Sequence, residues 1–142
     1  MQRVLCLAIL GLSLFAASNL RAEDWTWAKD HAEAKERLLK IFEKHAGFRE
    51  AITEFSAEHH TIFKEMVDFL AEKNDHTVEE FIRLRNKEDK ETPHLQKIHE
   101  KHREGMADFR EWIKDHKDAA VSLTRHEHEL EHLDRVAEKR DR

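Results

Sequence analysis

The chain has 142 residues, with 25 Lys and Arg against 30 Asp and Glu, 12 His, and a formal net charge of −5 when histidine is neutral. A single cysteine rules out an internal disulfide framework, and interspersed charges without a separate basic stripe argue against a nucleic-acid-binding protein. Three glycines, one proline and no tyrosine, in a chain that is 39% charged and 39% hydrophobic, point to an all-α protein.

Taken from the start, Arg3 precedes an apolar run from Val4 to Ala17, and Leu20-Arg21-Ala22 ends on a small residue suited to cleavage before Glu23. Residues 1–22 therefore read as a signal peptide, the run being shorter than the roughly 20 residues that span a bilayer. Export to the periplasm or the extracellular space is the expected localisation. Cys6 lies inside this segment, so residues 23–142, a single helical domain, would carry no thiol. The mature chain would hold 23 bases against 30 acids, a net charge of −7, and full protonation of its histidines would bring it to about +5.

From Trp27, the positions His31, Ala34, Leu38, Ile41, His45, Phe48, Ile52, Phe55, His59, Ile62, Met66 and Phe69 advance by alternating steps of three and four. That rhythm predicts one amphipathic helix over about 24–73. Asn74-Asp75-His76 breaks it, and Thr77 with Glu80 forms a capping box for a short helix from Val78 to about Asp89. Thr92-Pro93 signals a new start, threonine as N-cap and proline at the first helical position. The stripe resumes with Leu95, Ile98, His102, Gly105, Phe109, Trp112, His116, Ala119, Leu123, His126, Leu130 and Leu133.

Two long arms with one period predict an antiparallel, coiled-coil-like helical hairpin, with the short third helix at the turn end. Phe42, Phe63, Leu70, Met106 and Ile113 widen the apolar face beyond a two-helix seam, so the short helix is expected to cover them. The thinner end calls for a homo-oligomer or another helical partner. The alternative is a compact four-helix bundle broken at Gly47. In the hairpin register, His45 is expected opposite Val121 to Leu123, and His59 opposite Asp108 and Phe109. Trp25 and Trp27 either pack on the partner helix near Leu133 and Val136 or dock a subunit or membrane interface.

Histidines 31, 45 and 59 recur every fourteen residues, as do 102 and 116. On the inner stripe they read as polar residues that set register and respond to pH. Off the stripe, His128 and His132 are four apart on one helical face with Glu131 between them. Two imidazoles and a carboxylate at that spacing suit zinc, nickel or copper. His99 with His102, and His59 with His60 beside Glu58, form weaker sets of the same kind.

No glycine-rich loop, nucleophile elbow or thiol accompanies Ser56 or Ser122, so no enzyme is expected. Glu91-Thr92-Pro93-His94 and Glu129-Leu130-Glu131-His132 carry the Glu-x-x-His spacing of carboxylate-bridged di-iron bundles. The stretch from Phe109 to His116 resembles the last helix of hemerythrins, and His31 and His60 are spaced like that family's first two ligands. The resemblance implies a di-iron oxygen-binding bundle. Lys64 stands where it expects a glutamate, Val121 where it expects an aspartate, and no His-x3-His follows at the matching place. The leading expectation is an exported, histidine-rich, non-catalytic protein that binds or buffers a divalent metal through His128, Glu131 and His132. The competing one is an interaction or scaffold protein with pH-responsive assembly through its heptad stripe.

Overall fold

The computed structural model describes residues 27–85 and 90–141. The expected signal segment, Trp25 and the end of the short helix toward Asp89 lie outside the described residues. Within them regular structure is entirely helical: a helical turn over 27–30, then α1 Ala32–Lys44, α2 Ala46–Glu58, α3 His60–Glu72, α4 Val78–Leu84, α5 Glu91–Lys101, α6 Arg103–Asp115, α7 Lys117–Leu123 and α8 Glu127–Asp141. None of these helices is long and apolar enough to cross a membrane.

The fold is all-α as expected, but neither arm is one continuous helix. A single non-helical residue interrupts them at His31, His45, His59, His102 and His116, with φ between −125° and −133° and ψ between 49° and 70°. These angles need no glycine. At each break the histidine amide still bonds four residues back and its carbonyl accepts from four residues on, as in His45 N to Ile41 O (3.0 Å) and Arg49 N to His45 O (2.9 Å). The three bonds that would span the break in between are missing. No side chain caps the helix that begins after any of them. Instead the imidazoles of His31, His59 and His116 pack on the aromatic ring four residues earlier, Trp27, Phe55 and Trp112.

The arms run antiparallel. Trp27 meets Ala119, Ala34 meets Trp112, His45 meets Asp108, Phe48 meets Gly105 and His59 meets His94. Along α1 and α2 this register is displaced by roughly two heptads from the expected one: His45 lies at Asp108, not at Val121 to Leu123, and His59 lies beside His94, not Asp108 and Phe109, whereas in α3 the Phe63 ring stacks on that of Phe109. The displacement sets breaks opposite breaks, because His31 and His116 line one cleft and His45 and His102 another. The alternative break at Gly47 is also relocated. It falls at His45, while Gly47 sits inside α2 with the His102 ring against it.

Segmentation lets both arms fold over a wider core. α1 packs on α6 and α8, α2 on α5 and α8, and α3 on α6 and α7. Phe42, Phe63, Leu70, Met106 and Ile113, which a two-helix seam would leave at its edge, are at most 1% exposed. Burying a large apolar side chain is worth about 1.5–3 kcal/mol, against about 1 kcal/mol net for a backbone hydrogen bond returned to water. Five such side chains therefore offset a large part of what the breaks cost. Trp27 is 1% exposed, donates to Ala119 O and packs near Trp112, which supports packing on the opposite arm.

The turn follows its predicted chemistry at one end and departs from it at the other. Thr77 Oγ1 accepts from Glu80 N at 3.0 Å, starting α4, whose Val78 and Phe81 are buried. Arg110 donates to the carbonyls of His76 and Asn74, tying the turn to α6. The next helix begins at Glu91, so Thr92 is a buried residue of its first turn and not the N-cap. Pro93 stays in that turn, where amides have no intrahelical partner to lose. Arg49, 4% exposed along its side chain, joins α2 to Asp134 of α8 at 2.7 Å, and burial pushes the Asp134 carboxyl up despite that guanidinium.

Candidate metal centre

Three ligand-type side chains converge where α2 ends. α2 finishes at Glu58, His59 is the break, and His94 stands in the first turn of α5 on the opposite arm. Ligand atoms of Glu58, His59 and His94 all lie within 4.8 Å of one another. Among the described residues no other group of three or more has this geometry. Glu58 Oε1 is 3.9 Å from His59 Nε2. A tetrahedral ion with bonds of about 2.0–2.1 Å sets its ligands about 3.3 Å apart, so small side-chain rotations close the group around one ion.

Phe55 builds the floor. Its ring lies 5.2 Å from that of His59 and 5.3 Å from that of His94, while the two imidazoles meet nearly perpendicular at 5.4 Å. Phe55 is fully buried, whereas the Glu58 side chain is 55% exposed and that of His59 26%. The set thus has an apolar side, which fixes the rings, and an open side toward solvent. Two imidazoles and one carboxylate with room for water form a donor set of the kind zinc accepts, and nickel or copper also take imidazole.

The residues singled out from sequence fare differently. His128, Glu131 and His132 lie on α8, where His128 is exposed and Glu131 pairs with Arg135 at 2.9 Å, and the three do not close into a compact group. His99 and His102 diverge. His99 Nε2 faces Glu79 of α4 at 3.7 Å, while the His102 ring lies against Gly47. Burial, aided by Lys101, holds the His102 pKa below the ordinary histidine value. Of the pair His59 and His60, only His59 joins the group, with Glu58 as the sequence suggested.

His94 is the member that sequence reasoning missed. Its Glu-x-x-His spacing drew attention, but its partners are 35 and 36 positions away in the chain. The hemerythrin-like set is spread out: His31 and His116 share a cleft with Asp30, Glu33, Asp115 and Asp118, and His60 does not line it. Another histidine of the series takes a single carboxylate, His45 Nε2 lying 2.8 Å from Asp108 Oδ2. Set against known protein families, curated proteins and solved structures, the chain matches none.

Proposed function

We propose that this is an exported, non-catalytic protein that binds a divalent transition metal, with Glu58, His59 and His94 holding the ion. The observation that carries the reading is the closeness of three ligand atoms drawn from two antiparallel arms over the Phe55 floor. It replaces His128, Glu131 and His132 as the leading site, because an ion there has two imidazoles on one helix and a carboxylate already turned to Arg135. Calorimetric titration with zinc tests it. His94→Gln is expected to abolish tight binding, and His128→Ala/His132→Ala to leave it intact. The reverse pattern would return the site to α8, and weak binding indifferent to both would end the metal reading.

A second reading, pH-responsive assembly, draws on the contact of His45 with Asp108 and on the depressed pKa of His102. Sedimentation between pH 5 and 7.5, with and without chelator, separates the two. Assembly that follows pH and ignores chelator belongs to the second.

A further inference from the structure

Most arginines of the described residues hold a carboxylate, as Arg37, Arg49, Arg85, Arg135 and Arg140 do. Arg83 and Arg103 make no hydrogen bond or ion pair among the described residues, and both line one cavity of about 560 Å³ between α4 and the α5–α6 arm. Each has an acid at a helical spacing that ordinarily pairs charges: Glu79 stands four residues before Arg83, and Glu100 three before Arg103. Here both acids turn elsewhere. Glu79 Oε1 lies 3.7 Å from His99 Nε2, and Glu100 Oε2 accepts from Gln96 Nε2 at 3.2 Å. The break at His102 falls between Glu100 and Arg103, which takes that second pair out of helical register.

From this arrangement we infer that the cavity binds a small phosphate monoester, with Arg83 and Arg103 on the phosphate and Ile82 and Pro93 against its organic group. The volume lies in the range of small-ligand pockets, about 300–1,000 Å³. A phosphate monoester carries close to two negative charges and three strong acceptor oxygens, which match two guanidiniums and their paired N–H donors. A carboxylate, with one charge and two oxygens, leaves one guanidinium unmatched. His99 is a positioning residue. Both its ring nitrogens are buried and make no hydrogen bond, so a slight approach of Glu79 satisfies Nε2 and keeps that carboxylate off Arg83. Glu58, His59 and His94 are not among the lining residues, so the site is separate from the proposed metal centre.

Calorimetric titration of the full chain with phenyl phosphate, in chelator to keep metal out, tests the assignment. Phenyl phosphate is expected to bind at one site, about tenfold or more tighter than inorganic phosphate, which has no organic group to bury. Benzoate, the same ring with a carboxylate head, should bind about tenfold or more weaker than phenyl phosphate. Arg83→Gln and Arg103→Gln, both at exposed positions, should each weaken phenyl phosphate about tenfold or more through loss of a charge-assisted bond. Arg125→Gln is the control, because Arg125 also has no carboxylate partner among the described residues but lines a different cleft. Its affinity should equal the parent's. Equal weakening by all three substitutions would reveal general attraction of anions to surface arginines and overturn the site. No binding of phenyl phosphate at millimolar concentration would overturn it as well, and so would benzoate or inorganic phosphate binding as tightly.

Discussion

The breaks at His31 and His59 share nearly the same backbone angles and the same aromatic-x3-His pattern, yet the molecule uses them differently. At His31 the opposite arm supplies another break, His116, and the two are framed reciprocally. Trp27 Nε1 donates to Ala119 O at 2.7 Å, and Trp112 Nε1 donates to Ala34 O at 2.8 Å. Each indole spends its only donor on a carbonyl three residues beyond the opposing histidine, which makes this layer a structural clamp. At His59 the opposite arm supplies the first turn of α5, and His94 turns the same kind of break into a ligand set. A helix break is chemically neutral in itself, and its use depends on what crosses from the other arm.

Removing the clamp should have the largest effect. Trp112 is fully buried and touches Trp27, Phe109 and His116, so Trp112→Ala is expected to cost about 3–5 kcal/mol of stability in chemical denaturation. A loss below 1 kcal/mol would mean that the indole is not a core element. At the ligand layer, His94→Gln should leave the metal-free protein close to its parent in stability and remove the zinc-dependent gain. That gain would be about 2.7 kcal/mol when zinc is a hundredfold above its Kd. Thermal melts with and without zinc would show it, and an equal zinc shift in parent and variant would contradict the contrast between the layers.

The layer between them, at His45 and His102, can be sharpened through its two glycines. A Cβ at Gly105 would lie 2.6 Å from Phe48 Cβ and Cγ, whereas one at Gly47 would meet the His102 ring edge at 3.0 Å. Gly105→Ala is expected to cost about 1–3 kcal/mol through overpacking, and Gly47→Ala less, since an imidazole edge moves more readily than the root of a phenylalanine. Equal losses in denaturant midpoints would show that the two contacts are equally rigid.

The smallest effect is on pH dependence. Burial first, then Lys101, lowers the folded-state pKa of His102, so the unfolded chain binds a proton that the folded one resists. The corresponding stability is fully present above the ordinary histidine value of about 6.5. It is lost as pH falls from there through the lowered folded value. His102→Gln should therefore flatten the fall of Tm between pH 7.5 and 5, and an unchanged slope would remove His102 as a contributor.

Some of this was legible residue by residue. Thr77 and Glu80 marked a real helix start, and the apolar spacing marked residues that are buried, because both depend on neighbours within one or two turns. The fourteen-residue recurrence of histidine is visible in the sequence but reads as a core position in a straight helix, since good helix formers flank each one and the heptad phase runs through without a slip. Glu58 beside His59 was also visible as a weak set. Its completion by His94 was not, because it depends on a register displaced by roughly two heptads.

By itself the sequence determined the helical class, the antiparallel return of the chain and the identity of the core-facing residues, through backbone propensity and the period of the apolar pattern. The tertiary structure alone decided where the helices break, which break faces which, and which histidines meet. A straight and a segmented arm satisfy the same local preferences, and they differ in how much of the wide apolar face, Phe42 and Phe63 to Met106 and Ile113, is buried when the two arms close on each other.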